Sequence, residues 1–349
     1  MDYGYVNARV RGMKSRLLDK KALENLIFKP DIDSLIAELE KTPYRQEIIA
    51  AKGHLSGITC IEYALRDNLT KTYRKIYSFV ESTDGERFLS VFLQRWDVQN
   101  IKTVLRGKAV HMTAEDIQSC IIPAGDLDEI TINEMIRQTD IRAVIDFLAT
   151  WEIGFSHPLT EAYPEYVKNE DLMILESALD RYYYASALSL VRGDSPDETL
   201  IRDLVRTEID TINIKTVLRL IRDKIDPPEA RRFFLEGGRE FDIPRLMTVM
   251  ERRSVQGVLE ELSSSSFHFL AKGSDSYQKT GKISVYEKEL DRFLVKNGVH
   301  AFFHDPLSIA SAVGYFWAKY NETINIRIIS RCKTADLSET ELTEELIYV

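Results

Sequence analysis

The heptapeptide NIKTVLR occupies Asn100 to Arg106 and recurs without a change at Asn213 to Arg219, and a third version, NIRIISR, stands at Asn325 to Arg331. The three asparagines are spaced 113 and 112 residues apart, and a weaker echo, NARVRGM, lies at Asn7 to Met13. Such even spacing marks a chain built by repeating one structural unit, and it restricts the fold to three like parts placed against one another. A body with three equivalent faces suits docking to a partner better than it suits housing a single chemical centre.

The repetition reaches well beyond the heptapeptide. Upstream of each copy stands a leader, Glu62-x-x-Leu65, Glu176-x-x-Leu179 and Glu287-x-x-Leu290, at 38, 37 and 38 residues from its asparagine. A further apolar stretch recurs as Leu35 to Leu39, Val144 to Leu148 and Val258 to Leu262. These segments divide the chain into units 1–113, 114–227 and 228–349, the first preceded by an extra helix from Tyr3 to Leu18. Apolar residues fall at i, i+3, i+4 and i+7 almost throughout, and sustained period-two alternation is scarce, so the predicted fold is all-α. Breakers at Ser82 to Gly85, Gly193 to Pro196 and Gly237-Gly238 separate the helices, and the polar run 263–280 reads as a mobile loop. Pro227-Pro228 suits a first helical turn.

A net charge of −9 speaks against nucleic acid as the main partner, because neutralising phosphate needs a dominant basic surface. Three distant cysteines, Cys60, Cys120 and Cys332, imply a reducing compartment without a disulfide framework. No run approaches the roughly 18 apolar residues of a spanning helix. The best candidate, Ala301 to Tyr320, is interrupted by His304, Asp305 and Pro306. The opening MDYGYVNARVRGMKSRLL lacks the apolar core of a secretory signal, so membrane association is expected only through a partner.

On a helical wheel Val98, Ile101, Val104 and Leu105 share one arc of about 120°, with Gln99, Lys102, Thr103 and Arg106 opposite. One face is expected in the core and the other is cationic. The same polar arc holds Lys215 and Arg219 in the second copy and Arg327 and Arg331 in the third. Like charges at i and i+4 cost an isolated helix about 0.2–0.5 kcal/mol, so a pair repeated three times implies an acidic counterpart. That counterpart is either internal, with Glu62, Glu176 and Glu287 as the obvious carboxylates, or a partner protein. Under the second reading the contact set is Asn7, Arg9, Asn100, Lys102, Arg106, Asn213, Lys215, Arg219, Asn325, Arg327 and Arg331, with the echo at Asn7 weaker because Met13 replaces its second cation.

Catalytic and cofactor signatures are missing. The string from Gly273 to Ile283 has the wrong spacing for a phosphate-cradling loop, and no GxGxxG, HExxH or paired CxxC occurs. His300 and His304 have a metal-compatible spacing but no evident third ligand. Asp31, Asp33, Asp126 and Asp128 read as cap or loop carboxylates, and Tyr182 to Tyr184, Trp96, Trp151 and Trp317 as packing residues. No catalytic, cofactor or metal site is predicted.

The opening YVNARVRGM, the three leader-plus-NIK or NIR repeats and a closing helix from Ser338 to Leu346 resemble the C subunit of archaeal A-type and bacterial V-type ATP synthases, equivalent to the d subunit of eukaryotic V-type ATPases. The resemblance covers the whole chain. It implies three helical domains with pseudo-three-fold symmetry forming a funnel. It also implies a non-catalytic rotor protein, peripheral on the cytoplasmic side of the membrane, that joins the proteolipid ring to a central shaft of the D and F subunits. A generic helical scaffold, or a helical enzyme with an unfamiliar site, is the alternative.

Overall fold

A computed structural model describes residues 3–81, 83–305, 307–335 and 339–349. Met1 and Asp2 of the opening segment, the breakers Ser82 and Pro306 and the expected helix start at Ser338 lie outside the described residues. Among the described residues all regular structure is helical. The chain opens with α1 (Gly4–Lys14). The first repeat supplies α2 (Lys20–Ile27), α3 (Ile32–Leu39), α4 (Arg45–Lys52), the leader α5 (Gly57–Tyr77) and the core helix α6 (Asp84–Ala109). The second supplies α7 (Ala114–Ser119), α8 (Glu129–Arg137), α9 (Ile141–Thr150), α10 (Ser156–Asn169), the leader α11 (Met173–Leu190) and the core helix α12 (Pro196–Arg222). The third runs α13 (Pro227–Ala230), α14 (Ile243–Met250), α15 (Val255–Leu262), α16 (Ser274–Thr280), the leader α17 (Ser284–His300), the core helix α18 (Ala310–Thr334) and α19 (Glu339–Glu345).

Short polar side chains set the helix starts, and they recur with the repeats. Asp19, Asp128 and Asp242 each accept the N–H three residues on, at the starts of α2, α8 and α14. Asp31 and Ser254 do the same for α3 and α15, and Asp140 accepts from Ala143 in α9. Each such cap contributes about 0.5–2 kcal/mol.

Compactness groups the chain differently from repetition. Met1–Val144 with Gly298–Val349 forms one unit and Ile145–Asn297 a second. In the first, the far half of α18 packs against α2, α3 and α5, and α19 packs against α2. Ile326, Ile329, Leu342 and Leu346 thereby complete a core with Leu35, Ile48, Ile61 and Leu65. In the second unit, Ile214, Val217 and Leu218 of α12 occupy the matching positions in a core with Leu246, Val258, Leu262 and Leu290. A core helix therefore finishes the hydrophobic core of the repeat that follows it, and in the first unit the third repeat finishes the first.

Three expectations change. Residues 263–280 are not an open loop: Phe267 and Leu270 are buried, and a 3-10 turn (His268–Gly273) runs into α16. Two apolar anchors three residues apart hold that polar stretch down. Trp151 is 66 % exposed, one residue beyond α9, beside Phe147 at a ring distance of 6.1 Å. Lys102, assigned to the outer face, is 8 % exposed, because α6 is covered on more than its apolar arc.

Candidate interface at the repeated helices

The repeated asparagines are buried and do one thing three times. Asn100 donates from Nδ2 to the Ile122 carbonyl at 2.8 Å and accepts the Ile122 N–H at 3.0 Å. Asn213 makes the same pair with Leu235, both at 2.8 Å. Asn325 makes it with Ile347 at 2.9 and 3.1 Å. Each partner lies 22 residues downstream. A carboxamide has one donor and one acceptor side and thus imitates the edge of a peptide, fixing an irregular segment whose backbone groups would otherwise be buried unpaired.

A carboxylate three residues earlier clamps the same segment nearer the next helix. Asp97 accepts the N–H groups of Asp126 and Leu127 at 2.8 and 3.0 Å. Asp210 accepts those of Arg239, Glu240 and Phe241 at 2.9, 2.8 and 3.1 Å. In the third copy Glu322 accepts the N–H of Leu18, so its clamped segment belongs to the first repeat. Leu127, Phe241 and Leu18 all directly precede the cap aspartates described above. The loops pass so close that a Cβ on Gly125 or Gly238 would overlap Oδ1 of Asp97 or Asp210, which explains glycine there.

Burial pushes the Asp97 carboxyl up to about 7 and Asp210 up to about 6, against the lowering pull of their amide donors. Between the ordinary carboxyl value near 4 and these midpoints the native state holds protons that the unfolded chain has released, so stability falls as pH rises through that window. Asp97→Asn, which imitates the protonated acid, is expected to gain on the wild type by at most about 1.4 kcal/mol per pH unit between pH 5 and 7 in urea titrations. A difference between the two proteins that stays flat over this range would refute the assignment.

The cations divide by exposure. Arg219 pairs with Glu287 of α17 at 2.6 Å, Lys215 with Asp291, and Arg331 with Glu62 of α5 at 2.7 Å. In these two copies the leader glutamate meets the last cation of the motif within the chain, and both pairs lie open to water, where such contacts contribute about 0–1 kcal/mol. Arg106 and Arg9 are exposed, Arg9 lying over the Phe79 ring at 5.4 Å, and Asn7 is buried. Burial draws the half-buried Arg327 guanidinium below its ordinary value, opposed by Glu62. Exposed arginines thus stand at Arg106, Arg219 and Arg331, the last position of each full copy, and at Arg9 and Arg11 in the N-terminal echo. Asp97, Asp210 and Glu322 were absent from the predicted set. Extending the repeat three residues leftward, to [Asp or Glu]-x-x-Asn, exposes them.

The third clamp also contains a buried charge cluster. Glu322 accepts from the Tyr44 hydroxyl at 2.6 Å and from Lys319 at 2.7 Å, and Lys319 lies 2.9 Å from the same hydroxyl. All three side chains are under 5 % exposed. Burial first, and then the Glu322 carboxylate, push the Tyr44 phenol well above its ordinary value, which keeps it a donor.

Among the described residues no three His, Cys, Asp or Glu side chains are placed to hold a metal ion, and no helix is long and apolar enough to cross a membrane. The rings of His300 and His304 lie 5.6 Å apart. A family described as ATP synthase (C/AC39) subunit matches residues 6–345. The chain is similar to the A-type ATP synthase C subunit of Methanocaldococcus jannaschii, 29 % identical over 99 % of this chain and 86 % of that one. It is also similar to the proteins of the same name from Methanosarcina acetivorans, 28 % identical over 100 % and 93 %, and Halobacterium salinarum, 28 % identical over 100 % and 98 %.

Proposed function

Since the chain belongs to the ATP synthase (C/AC39) subunit family, we propose that it is the non-catalytic rotor component of an A-type ATP synthase, coupling the membrane proteolipid ring to a central shaft of the D and F subunits. The observation that carries this reading is the full-length match to proteins named as the C subunit of A-type ATP synthase. In this reading three related domains surround a socket for the shaft, and the protein lies on the cytoplasmic side of the membrane, held there by the ring. Torque transfer asks for stiffness, and buried side-chain clamps at the same place in all three repeats supply it without any catalytic group. The shaft contacts are assigned to Arg9, Arg106, Arg219 and Arg331, exposed cations of the motif copies, while the buried Asn100, Asn213 and Asn325 fix the segments behind them.

Native mass spectrometry of the chain with purified D and F subunits, and separately with detergent-solubilised ring, tests the assignment. One copy per shaft and one per ring is the expected result. Reversing Arg106, Arg219 and Arg331 together to glutamate is expected to weaken shaft binding roughly tenfold or more, while stability drops only by the about 0–1 kcal/mol of each exposed pair. Unaltered shaft binding with a lowered melting temperature would assign these arginines to the fold alone. Failure to bind either assembly by a well-folded chain would favour a general helical scaffold.

A further inference from the structure

The same groove occurs in both compact units, between a leader helix and a clamped segment, and it is closed in one and open in the other. In the first unit it lies between α5 and residues 118–133 and encloses about 220 Å³. Arg66 and Arg74 seal it by donating to the carbonyls of Gln118 and Pro123 at 2.9 and 3.2 Å. In the second unit the equivalent space, between α11 and residues 228–243, is about 1040 Å³. Counted from the matching Leu65 and Leu179, the residues at the places of Lys71 and Arg74 are Ala185 and Leu188. Of the two sealing arginines, Arg74 is thus replaced by the apolar Leu188, and on this side Arg181, at the place of Asp67, donates to the Arg232 carbonyl at 3.0 Å.

The open groove has an apolar floor of Tyr184, Leu188, Phe234 and Ile243 and a rim bearing Arg181, Arg192, Arg231 and Arg232, all four exposed. Among the described residues none of these arginines forms an ion pair, although the chain carries more acidic than basic residues, 55 against 46. Glu229 and Glu236 on the same rim leave an excess of two positive charges. We propose that this groove receives an acidic amphipathic segment of a partner protein, laying apolar side chains on the floor while its carboxylates take the guanidinium forks. Guanidinium matches carboxylate in planar, two-point geometry, and an apolar floor beneath charged walls suits an amphipathic helix. The overall negative charge disfavours an extended polyanion, whose attraction depends on a broad basic surface.

The probe is a fluorescent helical peptide of about sixteen residues with leucine on one face and glutamate on the other, compared by anisotropy with a version carrying glutamine for glutamate, on the full chain. The acidic peptide is expected to bind roughly tenfold or more tightly than its neutral form and to weaken with salt. Arg231→Glu with Arg232→Glu, and separately Ala185→Trp, which fills the groove without changing charge, should each lower its affinity by a similar factor, with unchanged melting curves. Equal binding of both peptides, unaltered binding by Ala185→Trp, or no binding at all would overturn the proposal. Displacement by low pyrophosphate would overturn it too, in favour of a free anion. Binding of D and F by the same variants, measured in parallel, separates failure of the groove from failure of the rotor assignment.

Discussion

Glu322→Ala is expected to cost the fold about 3–5 kcal/mol, the loss seen when one partner of a buried ion pair is removed. The substitution strands the Lys319 ammonium at 3 % exposure and takes an acceptor from the Tyr44 hydroxyl and the Leu18 N–H together. Because the carboxylate ties helix α18 to two segments of the first repeat, the effect should appear as lost protection of α2, α4 and α18 in hydrogen exchange, with the second unit little changed. Replacing Lys319 and Glu322 together by methionine and leucine should restore most of the stability, since an apolar pair avoids the desolvation cost of both charges. A single substitution that lowers the melting midpoint no further than an ordinary surface change would show that water reaches the cluster.

Asn213→Ala should cost about 2–6 kcal/mol, as two backbone groups of the buried Leu235 lose their partner at once and each orphan costs about 1–3 kcal/mol. The three copies should differ in a definite order. Asn325 is as buried as Asn213, whereas the Asn100 contacts are only partly buried, so water can replace more of what Asn100→Ala removes. Urea unfolding of the three alanine variants therefore ranks Asn100 as the mildest. Equal and small losses would show that the carboxamides are not what holds these segments.

Much of the architecture is legible in the order of residues alone. Period 3.6 marks the helices, and the spacing of the asparagines marks three leader and core segments, each of which is a helix. Caps at Asp31 and Asp128 and the Pro227 helix start follow from local chemistry and appear as expected. What escapes is tertiary. A helical wheel assumes one buried face, so it sets Lys102 outward although that lysine is buried, and it gives no sign that the chain segment 22 residues on covers Asn100. The distance from Asn325 to Ile347 has the same length as from Asn213 to Leu235, yet nothing local in the sequence marks either partner. Trp151 is misplaced because size and apolarity favour burial on average, and a position one residue past a helix end escapes that average. The groove rests on Ala185 and Leu188 replacing Lys71 and Arg74, a difference visible only once the repeats are superposed.

The closure of the third repeat on the first fixes an order of events during synthesis. The second unit is one continuous stretch, Ile145–Asn297, so it has all its parts once that stretch has left the ribosome. The first unit cannot close then. Its core waits for Ile326, Ile329, Leu342 and Leu346, and the Leu18 N–H waits for a glutamate 304 residues away. Contacts of such separation form late and raise the barrier to folding. Until they form, α2, α3 and α5 expose the apolar faces that α18 and α19 will cover. The earliest part of the chain to be made is thus the last to become safe from aggregation, and it is the part through which a cell short of chaperones would lose this protein.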